Sequence, residues 1–244
     1  MTSRLEVYGA SPITSGAVLW LLVRRLSASG AGRIHGEAKI WPVILSLNGK
    51  GGQAMGRASK REEIAQAAFE QFHARGFNAT GISDITGAAG VPKGSFYNHF
   101  SSKEESALEA LSRYAGTLGF DLLTASGKPP LERLRAHFAF LSKDTVDNGY
   151  VRGCLVGNLG AEVADHSEEI RAAVKGGFDS WAALIRNVLS EAQEEGDLDG
   201  AMDVEATALF ILSAWEGTLI VARAEKSAAS VDAFFRTVFD LLLR

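Results

Sequence analysis

The stretch AAGVPKGSFYNHF, residues 88–100, decides the fold of this 244-residue chain. Gly90 permits a tight turn that other residues resist, and Val91 is a small apolar plug between helices. Pro92 suits the first turn of a helix, where its missing N–H costs nothing. Phe96 and Phe100 lie one helical turn apart, which places both rings on one face. The stretch therefore predicts a turn and a short helix over 92–100 that buries these two rings.

The opposite face of this predicted helix is polar. Lys93 and Tyr97 are one turn apart, with Gly94 and Asn98 beside them and Ser95 in the same candidate set. Lysine and asparagine can bond base edges or phosphates, glycine permits close approach, and tyrosine can reach the phosphate backbone. We expect this face to enter the major groove of double-stranded DNA.

Further helices are predicted before this stretch. Apolar residues recur at every fourth position from Ile64 to Phe72, after Ser59 as a candidate N-cap and before Gly76 as a stop. A second short helix is predicted over 82–89. The pattern is that of a helix-turn-helix preceded by one supporting helix.

The residues that follow the stretch supply a predicted phosphate clamp. Ser102 is a candidate N-cap of another helix, and Lys103 lies in its first turn. Free N–H groups at a helix start attract anions, and the lysine adds a positive charge.

The sequence resembles the DNA-binding signature of the TetR family of bacterial repressors. The resemblance is carried by GFNATGISDI at 76–85, by the stretch at 88–100 and by SKE at 102–104. It covers roughly residues 60–111. It implies a three-helix DNA-binding domain, which we place at 57–103, whose third helix enters the major groove.

The resemblance also implies the phosphate contacts, at Thr80, Tyr97, His99 and Lys103. Pro92 departs from the family, where many members have a serine; it removes a hydroxyl cap but fits a helix start. An alternative is an all-core interpretation, in which Tyr97 and His99 pack or bond internally.

Residues 104–244 show helical periodicity and no sustained strand-like alternation, so the fold is predicted to be all-α. The last two predicted helices, 203–225 and 231–243, carry apolar residues around most of their circumference. They therefore need a second surface, besides the core, against which to bury them. The resemblance implies that they pair with a partner's helices in a four-helix bundle. We expect a homodimer that reads a roughly palindromic operator, with 104–244 as the effector-binding and dimerisation domain.

The segment RGCLVGNLGAE, residues 152–162, resembles a TetR branch that includes regulators responding to reactive electrophiles and to acrylate-like compounds. A thiolate near a helix N-terminus has a lowered pKa, and Arg152 would act in the same direction. Cys154 and Asn158 are therefore candidate sensor residues. The alternative is that Cys154 is a small buried residue in a glycine-rich helix packing.

Four aromatic residues could line an effector cavity, although core packing is the simpler interpretation of each: Phe120, Phe138, Trp181 and Trp215. His137 and His166 are far apart without ligand spacing, so no metal site is expected. No cofactor is expected either.

Charge is distributed unevenly along the chain. Residues 1–56 carry a net charge of +4, residues 57–103 carry +2, and residues 104–244 carry −10. A basic leading part before an acidic body is expected when one end approaches phosphates. The single cysteine excludes an intramolecular disulfide and fits a reducing cytoplasm.

Residues 1–56 show no sustained period and are expected to be a disordered tail or a translated leader. The apolar run at 17–23 is far shorter than the ~20 residues of a membrane span, so no membrane partner is expected. Met55 is followed by a basic start, and Lys50-Gly51-Gly52 would be encoded by a purine-rich stretch resembling a ribosome-binding site. Met55 is therefore a candidate true start.

These observations predict a ligand-responsive DNA-binding regulator, a repressor released from its operator by a small-molecule effector, and not an enzyme. Two alternatives stay open: a helical small-molecule-binding protein with a vestigial DNA-binding head, and an enzyme with Cys154 as nucleophile. Against the enzyme, no His/Asp or His/Asn pair is placed by motif around the thiol.

Overall fold

The computed structural model describes residues 59–244, and these residues form helices and no strands. The all-α prediction is confirmed. The predictions for residues 1–56, including the start at Met55, lie outside the described residues. The α-helices are α1 Lys60–Arg75, α2 Ile82–Ala88, α3 Lys103–Ala115, α4 Pro130–Asp147, α5 Leu155–Val163, α6 Glu168–Glu195, α7 Val204–Glu225 and α8 Ala229–Thr237. Two 3₁₀ helices, Lys93–Asn98 and Phe120–Thr124, and a π-helical turn, Val238–Leu242, complete them.

The first helices form where their caps predict. The Ser59 side chain accepts a hydrogen bond from the Glu62 N–H, and Gly76 ends α1 with a φ of +86°. Helices α1 to α3 then enclose one apolar core. Its fully buried members include Ile64, Phe72, Ile85, Phe96, Phe100 and Leu111.

The third helix differs from its prediction in type and length. An α-helix over 92–100 was expected, and the structure has a 3₁₀ helix over Lys93–Asn98. Pro92 is extended, with a ψ of 146°, and His99 already departs from helical geometry. Six residues between such ends are too few for a regular α-helical ladder, and short segments of this kind adopt the tighter form. Both phenylalanines nevertheless point into the core, as predicted.

The helices after α3 continue this core around aromatic rings. Phe138 on α4 has its ring centroid 5.2 Å from that of Trp215 on α7 and 5.0 Å from that of Phe234 on α8. Trp181 on α6 packs edge-on against His137 on α4. These contacts join α4, α6, α7 and α8.

Helix α5 lies between this body and the first three helices. At its far end, Glu162 accepts a hydrogen bond of 2.8 Å from the backbone N–H of Asn78, in the turn after α1. The same carboxylate closes over Gly76, where a Cβ atom would lie 2.3 Å from Glu162 Oε1.

Helices α7 and α8 are close to their predicted positions and leave apolar side chains on the surface. The exposed large apolar residues here are Leu209, Phe210, Ile220, Val221 and Leu241. By length and composition alone α7 could cross a membrane, and a third of its most apolar window is buried. One helix of this kind is weak evidence, since helices that pack in a soluble core or interface share that composition.

Gly76 and Gly176 form a matched pair for testing the backbone geometry. Gly76→Ala is expected to destabilise the protein by about 1–3 kcal/mol, because φ is +86° and the new Cβ meets Glu162. Gly176→Ala lies inside α6 with no atom near its Cβ position, and is expected to stabilise by about 0.5–1 kcal/mol. Urea unfolding followed by circular dichroism measures both; equal effects of the two changes would contradict the assigned geometry.

Candidate functional sites

The polar face of the Lys93–Asn98 helix is presented to solvent. Lys93, Gly94 and Asn98 are exposed, and 58% of the Tyr97 surface is accessible. Ser95 is half-buried. The buried Phe96 beneath this face packs edge-on against the ring of Tyr97 at 5.5 Å between centroids. The exposure of Tyr97 excludes the all-core interpretation for this residue.

The start of α3 adjoins this face. Ser102 caps α3 by accepting a hydrogen bond from the Glu105 N–H at 3.0 Å. The Lys103 ammonium lies 4.0 Å from the centroid of the Phe77 ring. Partial burial lowers the pKa of Lys103. His99, at the end of the 3₁₀ helix, is half-buried. His99 and Lys103 thus lie in the short connection from the Lys93–Asn98 helix to the start of α3.

Thr80 does not fit the role that the resemblance implies for its side chain. The residue is fully buried, and its hydroxyl donates to the carbonyl oxygen of Gly76 at 2.7 Å. A side chain that braces the turn between α1 and α2 is not free to meet a phosphate. The prediction for the Thr80 side chain is therefore wrong, because its hydroxyl closes a local turn.

Cys154 is the N-cap residue of α5 and is buried, with 3% of its surface accessible. Burial, and after it the negative charge of Glu216, raise the pKa of its thiol well above the usual value. The expectation of a lowered thiol pKa is therefore wrong, because desolvation outweighs the helix N-terminus. Arg152, expected to favour the thiolate, is exposed.

Glu216 is a functional candidate that the sequence reasoning missed. It lies on α7, and its carboxyl group contacts the Cys154 thiol. Burial raises the pKa of Glu216 to about 7. Its Oε1 atom is buried and has no hydrogen-bond partner among the described residues, although other parts of the side chain remain accessible. The available signal was a single carboxylate in the apolar run of α7.

Gly157 makes the approach of Glu216 possible. A Cβ atom at Gly157 would lie 2.3 Å from Glu216 Oε2. The glycine spacing after Cys154 therefore has a direct packing consequence, which is to let a carboxyl group lie over the first turn of α5.

Two buried side chains from the first three helices reach the turn before α5. His73 on α1 has Nε2 2.9 Å from the carbonyl oxygen of Gly153; since a carbonyl only accepts, the ring nitrogen donates. The Tyr114 hydroxyl on α3 contacts the thiol of Cys154, and burial raises the pKa of this tyrosine well above its usual value. Burial also lowers the pKa of His73.

Asn158 has a positioning role in the same turn. Its Nδ2 donates to the carbonyl oxygen of Arg152 at 3.0 Å. The side chain thereby fastens the turn that carries Cys154. Any contact of Asn158 with an effector stays a prediction.

Three of the four candidate effector aromatics are buried, and Phe120 is half-buried. Phe138, Trp181 and Trp215 are at most 1% exposed, and Phe120 packs on His137 and Trp181. Trp181 Nε1 donates to His137 Nε2 at 3.0 Å, while His137 Nδ1 faces the carbonyl oxygen of Gly119 at 3.3 Å. Burial lowers the pKa of His137 to about 4. In this conformation the rings serve as core.

Within residues 59–244, no group of three or more His, Cys, Asp or Glu side chains could hold a metal ion.

Comparison with known proteins agrees with this arrangement. A family model described as "Bacterial regulatory proteins, tetR family" matches residues 64–110, and one described as "Tetracyclin repressor-like, C-terminal domain" matches residues 130–238. The transcriptional repressor DhaR of Mycobacterium sp. (strain GP1) is 31% identical over 78% of this chain and 95% of its own length.

Solved structures give the same result. The regulatory protein TetR from Rhodobacter sphaeroides has a TM-score of 0.69 and 31% identity, covering 74% of this chain and 97% of the other. Escherichia coli NemR in its reduced form has a TM-score of 0.65 and 28% identity, covering 74% and 95%.

The helix-turn-helix and the larger helical body of residues 59–244, together with these matches, define a DNA-binding transcriptional regulator of the ligand-responsive type. The chain belongs to the tetR family of bacterial regulatory proteins. Its relatives are regulators and not enzymes, in agreement with the sequence-based prediction.

Proposed function

We propose that this protein is a cytoplasmic repressor, a homodimer that binds a palindromic operator and is released when a small electrophile modifies Cys154. The observation that carries the proposal is the exposed Lys93–Asn98 face beside the capped start of α3. Basic and amide side chains on a protruding short helix suit the major groove, and the α3 start suits an adjacent phosphate.

The DNA-contacting set follows from exposure. Base-edge or phosphate contacts fall to the exposed Lys93, Gly94 and Asn98, and to the half-buried Ser95 beside them. Tyr97, His99 and Lys103 take phosphates. Lys103 would leave the Phe77 ring to do so, which exchanges a cation–π contact of about 0.5–1 kcal/mol for a charge-assisted hydrogen bond.

Lys93→Ala tests this interface. It is expected to weaken operator binding by about 1–3 kcal/mol. If the ammonium meets a phosphate, the salt dependence of binding also falls by about one unit of slope. Fluorescence anisotropy on DNA from upstream of the protein's own gene, over a salt series, measures both.

Lys128→Ala is the matched control, because Lys128 is exposed in the loop before α4 and carries the same charge. If Lys93→Ala loses affinity for unrelated DNA as well as for the operator, Lys93 contacts a phosphate. If it loses affinity for the operator alone, Lys93 contacts a base edge. Equal behaviour of the two variants would contradict the proposed interface.

The dimer surface is the apolar face of α7 and α8. Phe210 and Val221 line a groove between these helices, with Ala233 and Thr237 on its other wall. A second copy of the chain presents the same apolar groove, so a two-fold interface covers both at once. The continuity of exposed apolar residues along α7 favours this occupant.

Phe210→Glu is expected to dissociate the dimer. An unpaired carboxylate at the interface costs about 3 kcal/mol or more, which corresponds to a hundredfold or greater rise in the dimer dissociation constant. Sedimentation velocity over a concentration series measures the change. Phe140→Glu on α4, where Phe140 is comparably exposed, should leave a dimer; if only this control dissociates, the interface lies elsewhere.

The proposed switch rests on the position of Cys154. The thiol lies where α5 meets α1, α3 and α7 through His73, Tyr114 and Glu216. A filled site of this kind cannot accept an added group without movement, because protein interiors are close-packed. Helix α5 also holds the backbone of Asn78 through Glu162, so its displacement would be felt beside the helix-turn-helix.

The decisive experiment is operator anisotropy before and after treatment with N-ethylmaleimide. As Cys154 is the chain's single cysteine, the reagent labels one thiol site. The operator affinity of the wild type is expected to fall about tenfold or more, within the usual range of allosteric coupling. Cys154→Ser should bind the operator and ignore the reagent. Labelled wild-type protein that still binds would return Cys154 to a purely structural role.

The same measurement separates the two alternatives. A helical small-molecule-binding protein with a vestigial head would ignore operator and unrelated DNA alike at low salt. An enzyme with Cys154 as nucleophile would regenerate the free thiol during turnover with a carbonyl substrate. N-ethylmaleimide would alkylate a catalytic thiol as stably as a regulatory one, so the enzyme is contradicted only by a stable stoichiometric adduct with the carbonyl compound itself, seen by intact mass.

A further inference from the structure

We propose that Glu216 is the proton acceptor and donor for Cys154 when the thiol adds to an α,β-unsaturated carbonyl compound. The inference rests on the proposed thiol switch and names the chemistry of the same site. It does not follow from the cysteine alone, because it depends on a carboxyl group brought in by another helix.

The surroundings of the sulfur atom show why a base is needed. A buried thiol with a raised pKa carries almost no thiolate at neutral pH, and the thiolate is the nucleophile. The helix N-terminus and Arg152 do not overcome this effect. A reactive Cys154 therefore requires a neighbour that removes its proton as the new bond forms.

Glu216 meets the geometric requirements for that neighbour. Its carboxyl group contacts the thiol, and Gly157 leaves the space that the carboxyl occupies. Its buried Oε1 has no hydrogen-bond partner among the described residues, so no partner there holds the carboxyl ionised. Burial raises the pKa of Glu216 to about 7, which is close to the best value for a group that both takes and returns a proton near neutrality.

Two further polar groups act on the thiol. The N–H of Gly157 and the hydroxyl of Tyr114 both favour the thiolate form of Cys154. Both groups therefore partly offset the effect of burial on the thiol while the proton passes to Glu216. The next titratable group is His73, whose ring centroid lies 5.0 Å from that of Tyr114. Arg152, Asp144 and Arg223 are the charged groups that act on His73.

The step balances without an oxidant or a co-reactant. The Glu216 carboxylate takes the thiol proton as sulfur bonds to the β-carbon of the acceptor. The electron pair of the carbon–carbon double bond moves toward the carbonyl group as an enolate. The Glu216 carboxylic acid then returns the proton to the α-carbon, and the net result is addition of S–H across the double bond.

The test is the pH dependence of Cys154 alkylation by acrylamide, followed by intact mass on the full-length protein between about pH 6 and about pH 9. A base must be ionised to act, so the wild-type rate should rise through about pH 7 and then level off. Glu216→Gln should lower the rate near neutral pH by about a hundredfold. Its remaining rate should climb steadily with the ionisation of the thiol itself.

Glu225→Gln is the matched control, since Glu225 is exposed near the end of the same helix and carries the same charge. It should reproduce the wild-type profile. Glu216→Asp keeps a carboxyl group and should retain an inflection at a reduced rate. If Glu216→Gln does not fold, the wild-type and Glu216→Asp profiles still decide the question.

Two results would overturn the inference. A wild-type rate without an inflection near pH 7 would show that no group of this kind assists. A faster reaction of Glu216→Gln near neutral pH would show that the carboxylate merely suppresses the thiolate. Operator binding of the alkylated protein is measured separately. Alkylated protein that still binds the operator would refute the thiol switch, whereas the role of Glu216 is decided by the alkylation rates alone.

Discussion

Helix α5 is hydrogen-bonded to the DNA-binding half near both of its ends, and the rest of the proposed mechanism depends on this constraint. Before its first turn, His73 donates to the carbonyl of Gly153; at its last turn, Glu162 accepts from the N–H of Asn78. Gly76 and Gly153 both have left-handed φ values, so these close approaches use backbone that other residues resist. A short packed helix moves as a unit, and therefore a change at Cys154 cannot remain confined to one of the two contacts.

The structure contains two buried histidines, and only one of them is fully satisfied within the described chain. His137 uses both ring nitrogens, one toward Trp181 and one toward Gly119. By contrast, His73 Nδ1 and Glu216 Oε1 are buried without partners among the described residues. Leaving such a group unsatisfied costs about 1–3 kcal/mol. Among the described residues, Arg113 Nε and Arg133 Nε are also buried without a partner, so such atoms occur both near Cys154 and in the body.

Local patterns in the sequence were sufficient for most of the fold. Ser59, Gly76 and Ser102 cap or end helices as predicted, and Phe96 and Phe100 are buried, because capping and helical periodicity act over a few residues. The 3₁₀ geometry of Lys93–Asn98 was not predicted, because it depends on the non-helical backbone of the residues on both sides, Pro92 and His99. Thr80 and Cys154 were misread for a different reason. No cap or helical period marks the Thr80 hydroxyl as the group that closes the turn after α1. Likewise, no periodicity within α5 indicates that Glu216 from α7 lies over its first turn.

A thiol with a raised pKa is compatible with a switch, because the rate of alkylation and the effect of the adduct on operator binding depend on different quantities. The thiolate fraction and the assisting base set how fast Cys154 reacts. The consequence depends on packing, since extra atoms in a filled core cost about 1–3 kcal/mol. In a dimer with both sites modified this cost is incurred twice, about 2–6 kcal/mol, against an allosteric coupling that is typically about 1–3 kcal/mol. If the conformation released from DNA relieves even half of the added strain, the operator is lost. A buried, slow thiol thus makes the resting repressor insensitive to weak electrophiles without weakening its response once the bond has formed.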